Sequence, residues 1–246
     1  MLFQIRDRPS PNHDRRNNPS RIDMLVLHYT GMTSAQAALD RLCDPDARVS
    51  AHYLVEENGA IWRLVAENRR AFHAGVSCWE GEGDLNAVSL GIEIANPGHE
   101  WGYRPVPEAQ MVSVEQLCRD LISRHPIPPH RVVGHSDIAP NRKTDPGEFF
   151  DWPRLARAGI GIWPSANPAS AGSEIDRARC LADLAAIGYC ASEELEGPAL
   201  VAFQRRFRAS CCDGRVDPAT ATRLTEVQAA FALSRAAVAG VCTFEV

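Results

Sequence analysis

The chain has 246 residues, of which 45% are hydrophobic and 23% charged, and its formal net charge is −5. These values are normal for a globular protein with one large domain or two ordinary ones. The negative balance offers no basic surface for nucleic acid, and no apolar run is long enough to predict a membrane-spanning helix.

The first 21 residues are polar and lack the apolar core of a secretory signal. We expect them to wrap around the domain as an arm. A cytoplasmic location is favoured, and the periplasm or cell envelope stays open if a signal has been removed. The eight cysteines include no C-x-x-C pair, which argues against a thiolate zinc site. Without a secretion signal we expect free thiols rather than a disulfide framework.

Strand and helix patterns are interspersed along the first 159 residues, with one hairpin centred on Glu57-Asn58-Gly59. This mixture predicts an α/β fold, a mixed β-sheet flanked by helices. The predicted strands cover residues 22–30, 49–65 (the hairpin), 87–96 and the stretch that begins at 132; the predicted helices cover 33–44, 107–125 and 148–159.

A change of composition marks the second part of the chain. Residues 160–172 are rich in Pro, Ala, Ser and Gly, as in an interdomain linker. Residues 173–246 predict a small three-helix domain and a tail, with Asp217 as the N-cap of the third helix. Residues 231–246 carry no pattern that predicts a structure. One face of the second helix carries Leu200, Phe203 and Phe207.

Three residues at strand ends or in a polar loop could form a metal site. His28 and His135 each follow an apolar strand, and Asp145 stands in a loop bounded by proline. Two imidazoles and one carboxylate are a zinc ligand set that leaves one coordination position open. The alternative is that both histidines are structural. Strand ends that converge at one rim favour the metal site, with one Zn²⁺ per chain.

A zinc hydrolase also needs a base and a cation for the developing oxyanion. Glu93 is the candidate base because it is the one charge in an apolar strand, although a salt bridge would also explain it. Lys143 is the candidate cation. Residues two apart in an extended segment face the same side, so Lys143 and Asp145 can point at one site. The alternative for this pair is an ordinary surface ion pair.

Several motifs, in order, resemble the zinc-dependent N-acetylmuramoyl-L-alanine amidases of the type-2 amidase family, in particular its AmpD and AmiD branch. The resemblance covers about residues 5–158. It implies an α/β mixed-sheet fold and hydrolysis of the amide between the lactyl group of N-acetylmuramic acid and L-alanine of the stem peptide. The motifs are "VLHYT", "VSAHYLV", "FHAG", "LGIEIAN", "VVGHSDIAP" and "RKTDPG".

The resemblance also implies roles for single residues. His28, His135 and Asp145 match the family's zinc ligands, Glu93 its catalytic glutamate, and Lys143 the lysine that stabilises the tetrahedral intermediate. His73, in "FHAG", is expected to line the cleft or hold a loop. We therefore assign His73, and with it His52, to substrate binding, although His52 also fits a structural role. Residues 75–89 are either a cleft wall or an ordinary surface loop.

Residues 174–226 resemble the three-helix peptidoglycan-binding domain through "LVAFQRRF" and "DGRVDPATATRL". A tethered binding module would raise the local substrate concentration. The alternative is a packing domain that no longer binds ligand. The expected partner is therefore peptidoglycan or a muropeptide. A rival function is a peptidoglycan-recognition protein that binds without cleaving.

Overall fold

Two β-sheets lie in the part of the chain that the computed structural model describes, residues 4–164, 175–190 and 197–241. The strands are β1 (Ile5–Asp7), β2 (His13–Arg15), β3 (Met24–Tyr29), β4 (Tyr53–Val55), β5 (Ile61–Arg63), β6 (Arg69–Ala71), β7 (Ser89–Ile94) and β8 (Val132–Gly134). The larger sheet has the order β1-β5-β4-β7-β3-β8, and β2 pairs with β6 separately.

The larger sheet is mixed, as predicted. Strand β3 is parallel to both β7 and β8, whereas β4 and β5 form the antiparallel hairpin expected around Asn58-Gly59. The N-terminal arm does more than wrap the domain. Its first strand, β1, extends the sheet beside β5, and its second pairs with β6.

The helices of the described residues are α1 (Ala35–Cys43), α2 (Gly98–Trp101), α3 (Glu108–Arg124), α4 (His135–Ile138), α5 (Trp152–Arg157), α6 (Arg177–Ile187), α7 (Pro198–Phe207) and α8 (Pro218–Val241). The Asp217 carboxylate accepts a hydrogen bond from the Thr220 amide at 2.8 Å and so caps α8, as predicted. None of these helices is both long and apolar enough to cross a membrane.

Helices cover both faces of the sheet because its strands are apolar on both sides. On one face Leu25, Leu27 and Ile92 pack with Leu117 and other apolar residues of α3. The side chains on the opposite face of the sheet pack in a second hydrophobic cluster. There the sheet residues Met24, Val26 and Val133 share a core with Leu200, Phe203 and Phe207 of α7. The C-terminal helices are thus part of the packing of the sheet.

The C-terminal helices differ from the prediction in length. Helix α8 has 24 residues and extends through the first part of the 231–246 segment, for which no structure was predicted. Ile160 and Ile162, at the start of the predicted linker, are buried. Residues 165–174, 191–196 and 242–246 lie outside the described residues, and the domain boundaries stay a prediction.

The expectation of free thiols is wrong for one pair of cysteines. Cys78 and Cys190 form a disulfide, with their Cα atoms 5.9 Å apart and a sequence separation of 112. Helix α6 and the residues after it bring Cys190 against the 75–82 loop, and spacing along the chain carries no sign of this. The free cysteines of the described part are 43, 118, 180, 211 and 212.

Candidate metal and catalytic site

The register of the sheet brings the predicted site together. His28, near the end of β3, is the direct partner of Glu93 on the parallel strand β7. Strand β8 lies on the other side of β3, and its last residue is followed at once by His135. The carboxyl ends of parallel strands meet at one edge, so three strands deliver three polar side chains to one place.

Three ligand atoms converge at this edge. His28 Nδ1 lies 2.8 Å from His135 Nδ1 and 3.1 Å from Asp145 Oδ2, and His135 Nδ1 lies 3.0 Å from the same oxygen. All three residues are buried. Two imidazole nitrogens and one carboxylate oxygen within 4.8 Å of one another are a donor set suited to a single divalent ion.

The charge state of His28 also suits a metal ion. Burial, with the neighbouring His135 next in importance, lowers the pKa of His28 to about 4, so its imidazole is neutral at neutral pH. Histidine ligands of a metal ion must be deprotonated, and His28 meets that requirement.

Glu93 lies beside this group with an unsatisfied oxygen. Its Oε2 atom is buried and has no hydrogen-bond partner within the described part of the chain. Burial, and then the Asp145 carboxylate, raise the pKa of Glu93 well above its ordinary value. A carboxyl group with a raised pKa and a free oxygen is suited to proton transfer.

A cavity of about 370 Å³ opens on these residues. Lys143 and Asp145 both line it, in agreement with the argument from their spacing. Asp145 is buried, which does not fit the alternative of a surface ion pair. Tyr29 and Thr144 are among the lining residues that the sequence analysis missed. The Tyr29 hydroxyl lies 2.7 Å from Thr144 Oγ1 and so ties the loop to β3. Tyr29 follows His28 directly in sequence, and that adjacency was the available signal.

The two histidines assigned to substrate binding have different positions. His73 is 8% exposed and lines the cavity. His52 is 0% exposed, and its Nδ1 accepts a hydrogen bond from the Gly91 amide at 3.0 Å. His52 does not line the cavity, and its burial favours the structural alternative over substrate binding.

The 75–89 stretch is neither a wall of this cavity nor an ordinary surface loop. Trp79 and Leu85 are fully buried, and Cys78 forms the disulfide. The Trp79 ring packs edge-on against Tyr189, with centroids 5.1 Å apart. The polar, glycine-containing composition of residues 75–89 did not predict this packing, because only a few residues of the stretch make the buried contacts.

Comparison with known proteins shows which family this chain resembles. The family described as N-acetylmuramoyl-L-alanine amidase matches residues 18–148. Over 225 residues the chain is 39% identical to the N-acetylmuramoyl-L-alanine amidase AmiD of Escherichia coli K12, covering 81% of this chain and 80% of that protein. It is 37% identical over 172 residues to the 1,6-anhydro-N-acetylmuramyl-L-alanine amidase AmpD of Haemophilus influenzae, covering 63% of this chain and 91% of that one.

A solved structure extends the likeness to the fold. The complex of E. coli AmiD with anhydro-N-acetylmuramic acid-L-Ala-D-gamma-Glu-L-Lys superposes with a TM-score of 0.76 at 34% identity. The match covers 87% of this chain and 91% of that chain, so it includes residues of the C-terminal helices.

Proposed function

The chain belongs to the N-acetylmuramoyl-L-alanine amidase family, and we propose that it hydrolyses the amide between the lactyl group of N-acetylmuramic acid and the L-alanine of the stem peptide with one zinc ion. The supporting observation is the convergence of His28, His135 and Asp145 beside Glu93 in one cavity. The first three side chains would hold the ion. Zinc, when bound, supplies Lewis-acid polarisation of the carbonyl and activation of water.

Glu93 is the proposed proton carrier. Its carboxylate would accept a proton from the attacking water as the new bond to the carbonyl carbon forms. The same carboxyl group would return a proton to the alanine nitrogen as the carbon–nitrogen bond breaks. The free, buried Oε2 supports this role, because no other group of the described chain competes for it.

Lys143 is the proposed partner of the oxyanion. It lines the cavity two residues before Asp145, so its ammonium group can reach the carbonyl oxygen of a substrate bound there. Charge stabilisation of this kind in a partly dry cavity contributes about 3–4 kcal/mol to catalysis in comparable sites.

The decisive experiment compares Glu93→Gln with the wild-type protein on a purified muropeptide. We expect zinc content to stay at one per chain while release of free peptide falls by about a hundredfold or more. Glu57→Gln is the control, because Glu57 lies partly exposed in the hairpin turn and outside the cavity. Normal turnover by Glu93→Gln would remove Glu93 from the mechanism.

The rival function, recognition without cleavage, is not favoured. Family members that only bind usually lack a metal ligand, whereas this chain retains the complete set together with Glu93 and Lys143. Zinc content after dialysis, combined with peptide release, separates the two functions: the rival requires binding of muropeptide with no product.

The form of the substrate and the role of the C-terminal helices are part of the proposal. AmiD was solved with an anhydro-muropeptide, and we extend this substrate class to the present chain. We also propose that helices α6–α8 bind peptidoglycan, as the resemblance of their sequence implies. Digestion of anhydro-muropeptides and of intact sacculi, with mass identification of products, tests both. If a protein that ends before α6 bound sacculi as well as the full chain does, the proposed role of helices α6–α8 would be contradicted.

We propose an oxidising compartment, the periplasm or cell envelope, as the location. The Cys78–Cys190 disulfide supports it, because disulfides persist in oxidising compartments and are rare in the cytosol. Alkylation of cell fractions followed by mass spectrometry tests it. Recovery of the protein with both cysteines reduced in the cytosolic fraction would contradict the proposal.

A further inference from the structure

The two histidines of the candidate metal site each hold their second ring nitrogen against the same short segment. His28 Nε2 lies 3.1 Å from His73 Nδ1, and His135 Nε2 lies 3.2 Å from the carbonyl oxygen of Ala74. These acceptors belong to consecutive residues of "FHAG". We propose that the His73–Ala74 segment, held by Asn86, is a positioning element that makes both histidines present Nδ1 to the metal ion. This inference rests on the proposed zinc function.

The hydrogen-bond directions follow from groups that have only one choice. The Ala74 carbonyl can only accept, and at 3.2 Å it lies closer to His135 Nε2 than the donor Arg142 Nη2 does at 3.5 Å, so we place the hydrogen of His135 on Nε2 and leave its Nδ1 free. Arg142 also donates to this oxygen, whose two lone pairs accommodate both donors.

The direction of the hydrogen bond at His28 follows from the Ser89 hydroxyl, which is connected to His28 through His73. The Ser89 hydroxyl donates to the Leu85 carbonyl at 2.5 Å and therefore accepts from His73 Nε2 at 3.3 Å. His73 then carries its hydrogen on Nε2, and its Nδ1 accepts from His28 Nε2. The Nδ1 of His28 is left with a lone pair.

These directions put two free nitrogen lone pairs 2.8 Å apart, beside the Asp145 carboxylate. Such an arrangement is repulsive until a cation lies among the three atoms. The segment thus prepares the ligands in the protonation pattern that a metal ion requires, which is the usual task of hydrogen-bond partners of metal-bound histidines.

Two features hold the segment in place. The Asn86 side-chain oxygen accepts hydrogen bonds from the backbone amides of both His73, at 3.1 Å, and Ala74, at 2.8 Å. The His73 ring also lies directly over Gly91 of β7, where a Cβ atom would be 2.5 Å from its Cγ. Asn86 is 6% exposed, so its oxygen is bound to these amides rather than to solvent.

The test compares pairs of variants that differ in one acceptor. His73→Leu and Asn86→Ala remove the accepting atom, whereas His73→Asn and Asn86→Asp keep an oxygen in the corresponding position. The zinc dissociation constant is measured by competition with a chromophoric chelator. Urea unfolding of each metal-free variant serves as the control for folding.

We expect zinc affinity to fall by about 10–100-fold in His73→Leu and Asn86→Ala and to recover most of that loss in the two conservative variants. The visible absorption of the Co²⁺-loaded His73→Leu protein should also change, because a ligand has turned. A purely structural role would lower metal-free stability without this pattern of rescue.

Three results would overturn the inference. Unchanged zinc affinity in both acceptor-deleted variants would show that the segment does not prepare the ligands. A rise in KM for muropeptide with unchanged zinc affinity would make His73 a substrate contact. A wild-type protein that does not bind zinc would overturn this inference and the proposed function together, whereas zinc binding without peptide release would overturn the function alone.

Discussion

His52 and His73 are neighbours in the interior, with ring centroids 5.6 Å apart, yet only one of them faces the cavity. Both stand in motifs of the same family, and both were assigned to substrate binding, with a structural role as the alternative for His52. The difference arises because His73 reaches the cavity, whereas the ring of His52 is enclosed by Arg16, Arg69 and Gly91.

The buried His52 should make stability depend on pH. Burial, and then the positive charge of Arg16, lower the pKa of His52 to about 3, whereas an unfolded histidine has a pKa of about 6.5. The unfolded chain therefore binds an additional proton below pH 6.5. The stabilisation is complete above pH 6.5 and decreases as the pH falls toward 3, by about 1.4 kcal/mol per pH unit.

Urea unfolding of the protein between pH 7 and pH 4 measures this dependence. His52→Asn keeps an acceptor for the Gly91 amide and removes the titrating group. We expect its free energy of unfolding to decrease less steeply with falling pH. The slope should be smaller by about 1.4 kcal/mol per pH unit, because one proton fewer is taken up on unfolding. Equal slopes for the two proteins would mean that His52 is not the group that titrates.

The site residues were predictable to the extent that their chemistry is unusual at their positions. A glutamate inside an apolar strand, and histidines that follow apolar strands, stand out in the sequence, and Glu93, His28 and His135 do come together. Asn86 does not stand out, because an asparagine in a polar loop is ordinary. Its function depends on a contact with the backbone of residues 73 and 74, and no pattern reports such a contact.

Among the elements, the strands and helices with clear periodicity were predicted, and the short polar ones were not. Strands β1 and β2 have three residues each and no apolar alternation. Their arm nevertheless delivers Arg16 to the interior, where its guanidinium donates to the carbonyl oxygens of Asn86, Ala87 and Ser89. These contacts are long-range, so the fold alone reveals why the arm is ordered.

Strand β7 contains a glycine whose missing side chain makes room for the site. We expect Gly91→Ala to destabilise the protein by about 1–3 kcal/mol, because the new methyl group would overlap the His73 ring. Chemical denaturation measures the change. Gly83→Ala is the matched control and should stay within about 0.5 kcal/mol, because its Cβ would meet only the Ser77 carbonyl at 3.8 Å. Equal effects of the two substitutions would contradict the steric argument.

At the scale of the whole molecule, the C-terminal helices are joined to the region of the candidate metal site by a buried ion pair. Arg206 of α7 lies 2.7 Å from the carboxylate of Asp137, and both side chains are at most 2% exposed. Asp137 also accepts from the Tyr189 hydroxyl at 2.6 Å and from the Gly134 amide at 2.8 Å. Since Asp137 is two residues beyond His135, the contact supports the segment that carries this candidate metal ligand.

Removal of one partner should therefore be costly. We expect Arg206→Ala to lower the free energy of unfolding by about 3–5 kcal/mol, because the Asp137 carboxylate would remain buried without its cation. Arg104→Ala is the control, since its pair with Glu57 is exposed and contributes at most about 1 kcal/mol. A loss below 1 kcal/mol in Arg206→Ala would mean that the helices are not coupled to the sheet through this pair.

The association of the two parts could not be predicted from sequence. Composition suggested a linker followed by a separate small domain, and each helix was recognised by its own periodicity. The apolar face of α7 was identified correctly. Its partner was not identified, because the sequence does not show which helix covers Met24 and Val26 of β3. Which surfaces meet depends on shape across many residues.

The cavity-lining Lys143 has a consequence for probe chemistry. It is the only lysine among the 246 residues, so the one other primary amine of the unmodified polypeptide is the α-amino group. An acylating dye or crosslinker that reacts with amines would thus attach within these residues only at the cavity or at the α-amino group, and its rate of attachment to Lys143 would report whether the cavity is filled.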